Sequence, residues 1–359
     1  MQRLENKIAN PGAPPTEEVC ECPICQSHDS KFLFANFDRY YRLPGDFALK
    51  ECADCRLVRL SPRPVIDEIG FYYPRDEYYS FQDSGSIKNR GILDQFRAEI
   101  RNSVLHHAFG YPCSEKRILP SLVTAILSRL FFKNASFGLG RRFPGYVKDG
   151  RALDVGCGNG AFLNLLKSNG WLVEGVDLST EAARTAKTNF DIDVFVGNVE
   201  ESKFEASSFD YIHMSHSIEH LPNPVKTLAY LHSLLKPTGQ IYIETPNSGS
   251  FNFRELKEYW LHTDTPRHLF LFSTATLERS LSETGFTVDK IETVAYSAFD
   301  WSDTYRQEER SDTKLYPRPQ IRLLMQPKAI VHNLRTRISH FFNGSTGDVI
   351  QCWARPKEV

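Results

Sequence analysis

The chain has 359 residues, of which 41% are hydrophobic and 24% are charged, and its formal net charge is −1. This balance excludes an overall basic field, so no nucleic acid is expected as a partner. No apolar stretch approaches the roughly 18 residues that a transmembrane helix needs, and the N-terminus lacks the apolar core of a signal peptide. We therefore expect a cytoplasmic protein, and the sequence does not indicate its oligomeric state.

Residues 1–18 are rich in Pro, Glu and Asn and are expected to form a disordered tail. Residues 19–75 then carry two C-x2-C pairs that are separated by 26 residues, and the pairs consist of Cys22, Cys25, Cys52 and Cys55. Four thiolates in two such pairs are typical of a tetrahedral structural zinc site. In a large chain without a leader this crowding favours metal over disulfides. The pattern predicts a small zinc ribbon with bound Zn²⁺; Cys20 is a rival ligand, and buried reduced cysteines are the alternative.

Residues 76–145 are predicted to form a helical linker or cap. In the segment Gly91–His107 the apolar residues recur with a spacing near 3.6, which indicates a helix. A second and more apolar helix is predicted over Leu119–Phe132. It packs against the core, covers the active site or touches a membrane surface, and packing is the simplest of the three.

From Arg151 onward, short apolar segments alternate with helical ones. The predicted strands are Ala152–Val155, Trp171–Val176, Asp193–Val196, Phe209–Met214, Gln240–Thr245, Phe286–Val294 and Asp348–Ala354. The predicted helices are Ala161–Ser168, Thr180–Asn189, Val225–Leu235 and Thr274–Thr284, the third of them stopped by Pro237 and Gly239. Such alternation predicts an α/β domain with a mainly parallel sheet, formed by residues 146–299 and 346–359. Residues 300–345 are expected to be a basic insertion between the last two strands.

The turn after the first of these strands contains the glycines Gly156, Gly158 and Gly160, preceded by Asp154. Glycines let the backbone turn sharply and approach a ligand closely. Their spacing is G-x-G-x-G, whereas a dinucleotide fingerprint would read G-x-G-x-x-G, which tells against NAD. The turn is therefore a candidate cofactor loop of another kind.

Two polar residues at the ends of the next strands extend this candidate site. Asp177 lies 17 residues after Gly160, where a carboxylate can accept both ribose hydroxyls of an adenosine. Asn198 follows the third strand, where its carbonyl can accept from the exocyclic amine of adenine. Ser215, after the fourth strand, is assigned to the same site.

Four segments together resemble the class I S-adenosylmethionine-dependent methyltransferases, and most closely their ubiquinone-biosynthesis-like and polysaccharide-cluster branch. These segments are Leu153–Gly160, Val173–Ser179, His216–Pro224 and Leu234–Gly239. The resemblance implies a Rossmann-like seven-stranded methyltransferase sheet with helices on both faces. It further implies that the glycine loop holds the methionine end of the cofactor, Asp177 the ribose and the Asn198 loop the adenine. Asn198 replaces an Asp that is more usual there, and the amide keeps an acceptor.

The candidate groups for handling the methyl acceptor cluster after the fourth strand: His213, His216, Glu219 and His220. Histidine can remove a proton near neutral pH, and one helical turn would place His216 and His220 on one face. The same H-x-x-E-H pattern is the inverted zincin motif, but its methyltransferase context disfavours a peptidase. Some relatives carry Glu-x-x-Glu-His here, implicated in divalent-metal binding. A general base, a catalytic metal and a merely structural role in the cofactor pocket all remain open.

A second acceptor-side cluster lies between the fifth strand and the next helix. There Arg267 is predicted to clamp a phosphate or carboxylate, and His268 to act as a base. Tyr259 and Trp260 are predicted to stack on a sugar or aromatic ring, and core packing explains them equally well.

The expected activity is S-adenosylmethionine-dependent O-methylation of a sugar, nucleotide-sugar or glycan in polysaccharide or natural-product biosynthesis. The alternatives are O-methylation of a quinone or phenol, and a non-catalytic zinc protein that binds S-adenosylmethionine. Similar N-terminal zinc modules occur in sugar C-methyltransferases, but those carry a further C-terminal domain that is not expected in this sequence, which disfavours C-methylation. The basic stretch Ile321–Phe342 is expected to contact an anionic acceptor or a membrane surface; a solvated helix is the alternative.

Overall fold

The computed structural model describes residues 12–74, 92–112, 142–295, 302 and 327–357. Several predicted segments lie outside these residues: most of the tail, the helix Leu119–Phe132, much of the linker and the first part of the basic stretch. Among the described residues, no helix is both long and apolar enough to cross a membrane.

The described chain contains thirteen strands and seven α-helices. The strands are β1 (Thr16–Glu17), β2 (Ser30–Asn36), β3 (Phe47–Cys52), β4 (Val58–Leu60), β5 (Arg63–Pro64), β6 (Arg151–Val155), β7 (Leu172–Asp177), β8 (Val194–Val196), β9 (Phe209–Ser215), β10 (Leu235–Pro246), β11 (Phe270–Leu271), β12 (Phe286–Val294) and β13 (Val349–Pro356). The helices are α1 (Ile92–Phe109), α2 (Ala161–Lys167), α3 (Thr180–Phe190), α4 (Pro224–Leu234), α5 (Phe251–Leu256), α6 (Thr274–Glu283) and α7 (Pro327–Phe342).

The central feature is a seven-stranded sheet in the order β12-β13-β10-β9-β6-β7-β8. Strand β6 pairs in parallel with β7 and with β9, and β7 pairs in parallel with β8. Ala152 and Leu153 of β6 are completely buried, as expected of a strand that is paired on both sides. The seven-stranded α/β fold predicted from the sequence is therefore confirmed.

One predicted boundary is corrected at the start of β10. The sequence places a helix as far as Leu235 and a stop at Pro237 and Gly239. In the structure α4 ends at Leu234, and β10 starts at Leu235 and contains both Pro237 and Gly239. A Cβ on Gly239 would lie 2.9 Å from the carbonyl oxygen of Phe209, so this glycine lets two backbones approach closely.

A second, four-stranded sheet has the order β11-β4-β3-β2. Strands β2, β3 and β4 come from the cysteine-bearing segment, and β11 comes from the chain that follows Arg267 and His268. Strand β11 pairs antiparallel with β4, with Phe270 opposite Arg59. The N-terminal segment therefore shares one sheet with the short strand that directly follows the second acceptor-side cluster, which the sequence did not predict.

The described residues fall into two compact units. One lies within Met1–Arg75, His216–Ala229 and Ile243–Trp353, and the other within Asp76–Ser215, Tyr230–Tyr242 and Ala354–Val359. The predicted cofactor residues belong to the second unit, and the four cysteines of the C-x2-C pairs and the acceptor-side residues apart from His213 belong to the first.

Candidate functional site

The glycine loop leaves β6 through three residues with positive φ, namely Gly156 (78°), Gly158 (51°) and Gly160 (77°). These left-handed conformations favour glycine over residues that carry a Cβ. Gly160 is further constrained by packing, because a Cβ there would lie 2.8 Å from the Cβ of Ala186. The loop is thus compact and pressed against α3, and it is followed directly by α2, whose N-terminal N–H groups favour negative charge.

Asp177 ties the end of β7 to this loop. Its Oδ2 accepts the backbone N–H of Gly158 at 2.8 Å, and its Oδ1 accepts that of Ser179 at 2.9 Å. Burial raises the pKa of the Asp177 carboxyl, and the two N–H groups act in the opposite direction. Each carboxylate oxygen has a second lone pair, so the group can also accept ribose hydroxyls.

The loop after β8 presents the predicted adenine residue. Asn198 is exposed, and its Nδ2 donates to Glu201 Oε1 at 3.0 Å, which leaves its carbonyl oxygen as the acceptor for an amine. Sequence reasoning missed Leu178, which directly follows Asp177 and is 69% exposed. An exposed leucine beside the carboxylate that is predicted to bind ribose is an apolar surface on which a flat base can lie, and its position after an acidic strand end was the available signal.

The two remaining predicted cofactor residues, Asp154 and Ser215, lie on strands rather than in the glycine loop. Asp154 Oδ1 lies 2.7 Å from Nδ1 of His213, and both side chains are buried. The His213 ring stacks on Tyr242 at a centroid distance of 5.6 Å and packs against Phe162 at 4.1 Å. Asp154 therefore has a histidine partner within the second unit. Ser215 is half-buried at the end of β9.

The two C-x2-C pairs adopt matching turns. Gln26 N–H donates to Cys22 O at 2.9 Å and Arg56 N–H donates to Cys52 O at 3.1 Å. Gln26 and Arg56 also share a left-handed φ, of 61° and 71°. Each pair thereby curls its two sulfurs toward one point.

The four sulfurs of Cys22, Cys25, Cys52 and Cys55 all lie within 4.8 Å of one another. The separations from Cys22 to Cys55 and from Cys25 to Cys52 are 3.4 and 3.5 Å. Ligands about 2.3 Å from a tetrahedral Zn²⁺ would be roughly 3.8 Å apart, so the cluster fits this ion. Burial raises the pKa of Cys52, but the N–H groups of Cys55 and Asp54 stabilise its thiolate and lower the value to about 6. Cys20, the rival ligand, is exposed and lies outside the cluster.

Glu219 is the centre of the acceptor-side cluster. Its carboxylate is completely buried, and its Oε2 accepts the hydroxyl of Thr245 at 2.9 Å. Its Oε1 lies 3.4 Å from His216 Nδ1 and 3.9 Å from His268 Nε2. Burial alone would raise the pKa of Glu219, but His216 and His268 lower it to about 2. The carboxylate is therefore held in its charged form.

Two imidazoles beside Glu219 are held by backbone carbonyls. His220 Nδ1 lies 3.0 Å from Arg267 O and 3.0 Å from the hydroxyl of Tyr73, while His268 Nδ1 lies 2.8 Å from His262 O. A carbonyl oxygen only accepts, so each Nδ1 carries the proton, and Nε2 keeps its lone pair. Ligand atoms of Glu219, His220 and His268 lie within 4.8 Å of one another, close enough to share a proton or a cation.

The predicted helical turn across His216 and His220 is wrong. His216 has a left-handed φ of 53°, and only Ile218–His220 forms a short 3₁₀ turn. Pro222 disfavours helical geometry in Leu221, which is extended and ends this turn at His220. The His216 ring instead stacks on His262, with centroids 6.3 Å apart, and its Nε2 lies 3.7 Å from Glu244 Oε1.

Arg267, predicted to clamp an anionic substrate, is only 1% exposed. Its guanidinium forms ion pairs with Asp38 at 3.0 Å and with Asp264 at 2.6 Å, and it donates to Tyr72 O at 3.1 Å. The protein itself thus supplies two carboxylates to this side chain, an arrangement that favours a structural role.

The two aromatic candidates also occupy packed positions. Trp260 is completely buried and contacts Phe253 edge-on at a centroid distance of 5.4 Å. The ring of Tyr259 lies 4.5 Å from the guanidinium of Arg39, at the centre of a cation–π contact. These placements favour the packing alternative for Trp260 and engage Tyr259 with the N-terminal segment.

Comparison with protein families matches residues 116–291 to the model of a methyltransferase domain. The chain is also similar to curated proteins described as ubiquinone biosynthesis O-methyltransferases. That of Xanthomonas axonopodis pv. citri is 34% identical over 103 residues, which cover 27% of this chain and 43% of the relative. That of Actinobacillus pleuropneumoniae serotype 5b is 31% identical over 123 residues, covering 31% and 49%. The chain thus spans less than half the length of these curated relatives.

The chain is also similar to solved structures. An S-adenosylmethionine-dependent methyltransferase from Mesorhizobium loti aligns over 63% of this chain and 99% of its own, with a TM-score of 0.42 and 17% identity.

Proposed function

We propose that this chain, which carries a class I S-adenosylmethionine-dependent methyltransferase domain, transfers a methyl group to a hydroxyl oxygen of a sugar, nucleotide-sugar or glycan. The observation that carries the proposal is the fastening of Asp177 to the glycine loop through Gly158 N–H. It joins, in one unit, the carboxylate for the ribose and the turn for the methionine end. The choice of sugar rests on the sequence resemblance alone.

On the donor side, the cofactor residues of this proposal are Asp154, Gly156, Gly158, Gly160, Asp177, Asn198 and Ser215. When bound, S-adenosylmethionine supplies an electrophilic methyl group on a sulfonium. Gly156, Gly158 and Gly160 allow the backbone to approach it, Asp177 accepts from the ribose hydroxyls, and Asn198 accepts from the adenine amine. Asp154 acts through its contact with His213, which fixes the base of the loop.

On the acceptor side, we assign proton removal to the Nε2 atoms of His220 and His268. Carbon–oxygen bond formation releases the hydroxyl proton, and an imidazole with a free Nε2 lone pair can take it. The imidazolium that forms is stabilised by the buried carboxylate of Glu219, with His216 as a further neighbour. Glu219 thus positions and compensates the bases rather than taking the proton itself.

A structural Zn²⁺ held by Cys22, Cys25, Cys52 and Cys55 belongs to the same proposal. The fit of the four sulfurs to tetrahedral geometry supports it. All four protein ligands are present, so this ion has no open coordination position for substrate and would stabilise the N-terminal sheet only.

O-methylation of a quinone or phenol is the second candidate, favoured by the names of the curated relatives. Calorimetry with S-adenosylmethionine, followed by transfer of a labelled methyl group to a panel of nucleotide-sugars, glycans and catechols, separates the candidates. We expect cofactor binding and labelling of a sugar hydroxyl. If only catechols are labelled, the acceptor is a phenol and the sugar proposal is wrong. Cofactor binding without any transfer would identify a binding protein and overturn the enzyme proposal.

A further inference from the structure

Helix α7 (Pro327–Phe342) presents an apolar stripe to solvent. Its exposed apolar side chains are Ile330, Val331, Leu334, Ile338, Phe341 and Phe342, which are 47–84% exposed. At about 100° per residue they fall within one arc of roughly 120° on the helix surface. Singly exposed apolar residues are common, but a contiguous stripe of this kind marks an interaction surface.

The opposite face of α7 is polar and is the one that packs on the protein. His332 and Thr336 are buried, and both donate to Oδ1 of the buried Asn252 on α5, at 2.6 and 3.1 Å. A surface helix of a globular protein normally buries its apolar face and exposes its polar face. Here hydrogen bonds fix the opposite orientation, so the apolar stripe is held outward by the fold.

Two arginines border the stripe. On the helical projection Arg337 lies beside Ile330, and Arg335 lies beyond Phe342 at the other edge. Both are exposed, Arg335 with an ion pair to Glu255 at 3.4 Å, and the helix sequence contains no Asp or Glu. An apolar band between two cationic borders complements the interface of a bilayer that carries anionic headgroups.

We propose that α7 lies in the surface of an anionic phospholipid bilayer, with Phe341 and Phe342 inserted and Arg335 and Arg337 at the headgroups. A second copy of the chain complements the helix less well. Two such stripes facing each other would bring their arginine borders together, and the helices contribute no acid to offset that charge. The inference is independent of the proposed methyl transfer.

The test is flotation of the full chain with vesicles of phosphatidylcholine, with and without phosphatidylglycerol. We expect binding only to the phosphatidylglycerol vesicles, weakening as salt is raised. Replacing Phe341 and Phe342 together by Ser should lower the affinity at least about tenfold. Replacing Arg335 and Arg337 together by Gln should lower it about five- to twentyfold and flatten the salt dependence. The matched control is Phe32→Ser, an exposed aromatic outside α7 (53% exposed), which should bind as the parent does.

Two results would overturn the proposal. One is failure of the parent chain to bind phosphatidylglycerol vesicles, including the case in which the stripe mediates self-association. The other is unchanged binding of the Phe341→Ser, Phe342→Ser variant. Near-ultraviolet circular dichroism and the melting temperature establish that this variant is folded, and Leu334→Ser provides the same test if it is not.

Discussion

At the scale of single residues, Asp177 links the shape of the cofactor loop to its chemistry. The two backbone N–H groups that it accepts, from Gly158 and Ser179, belong to the turn and to the start of α3. An amide in its place would turn one NH₂ group toward an N–H donor. Asp177 therefore shapes the loop, and in the proposed site the same carboxylate also accepts from the ribose.

We predict that Asp177→Asn weakens S-adenosylmethionine binding by about 10- to 100-fold, the range expected for lost hydrogen bonds to a charged group. Isothermal titration calorimetry measures the change. Asp193→Asn is the control, because that carboxylate is 89% exposed and is not among the proposed cofactor residues. Equal affinity of both variants would remove Asp177 from the proposed site.

For the acceptor side, His220→Ala and His268→Ala are each expected to lower turnover by about 10²- to 10⁴-fold, the usual contribution of a general base. Cofactor affinity should be retained. His232→Ala on α4 is the matched control. Full activity in both variants would place the base elsewhere or show that none is required.

Acid should destabilise the folded chain through two of its histidines. Partial burial and the neighbouring His268 lower the pKa of His220 to about 4, and burial and His216 lower that of His262 to about 3. In the unfolded chain these rings take up protons near pH 6.5, so the unfolded state binds more protons between about pH 6.5 and pH 4. The free energy of unfolding should therefore decrease as the pH is lowered through this range, by at most about 1.4 kcal/mol per pH unit for each histidine.

Urea denaturation at pH 7 and at pH 5 measures this effect. His262→Gln removes one of the two groups and should flatten the dependence. A variant that keeps the parent slope would show that His262 does not contribute.

At the scale of elements, the chain between α5 and β11 is fastened to β2 and the residues that follow it. Asn36 Nδ2 donates to Thr265 Oγ1 at 2.9 Å, and Arg39 Nε donates to Glu258 O at 3.0 Å. The completely buried Asp38 pairs with Arg267. These contacts hold the backbone carbonyl of Arg267, which in turn orients His220.

We predict that Arg267→Met destabilises the protein by about 3–5 kcal/mol, since it leaves Asp38 and Asp264 as buried charges without their partner. Arg279→Met on α6 is the control, because Arg279 forms an exposed ion pair with Glu283, of a kind that contributes at most about 1 kcal/mol. Urea unfolding, with one m-value fitted to the parent and both variants, measures the change in the free energy of unfolding. A similar loss in both variants would contradict the importance given to the buried pair.

The sequence predicted the elements whose signal is local. β12 is found as predicted over Phe286–Val294, because its apolar residues form a local pattern. Helix α3 differs from the prediction only by one residue at its end, because the Ser179 cap specifies where it begins. β11 escaped prediction, since two residues carry no periodicity and their partner strand is remote in sequence. The contact of Asp154 with His213 was missed for the same reason, because register between parallel strands is a tertiary property.

The site itself was predictable to a similar extent. The positions of Asp177 and Asn198 at consecutive strand ends follow from the alternation of strands and helices. Whether Arg267 meets a substrate or Asp38 depends on how two distant segments fold together, and no local pattern encodes that.

At the scale of the whole molecule, the proposed zinc ion would stabilise a sheet that also includes β11. We predict one equivalent of zinc per chain by elemental analysis, and a fall in melting temperature of several degrees when a chelator removes it. Cys25→Ser should lose the metal, whereas Cys20→Ser should keep it. Retention of zinc in both variants, or its absence from the parent chain, would contradict the four-cysteine site.

The pairing of β4 with β11 has a consequence for biosynthesis. Phe270 follows Arg59, its partner in the register, by 211 residues. At about 5–20 residues per second, a ribosome needs about 10–40 seconds to make that interval. During this interval the edge of β4 that later pairs with β11 is unpaired, and the cysteine thiols are accessible to oxidants and metals. Early zinc capture would shield the thiols during translation, long before the last strand of their own sheet has left the exit tunnel.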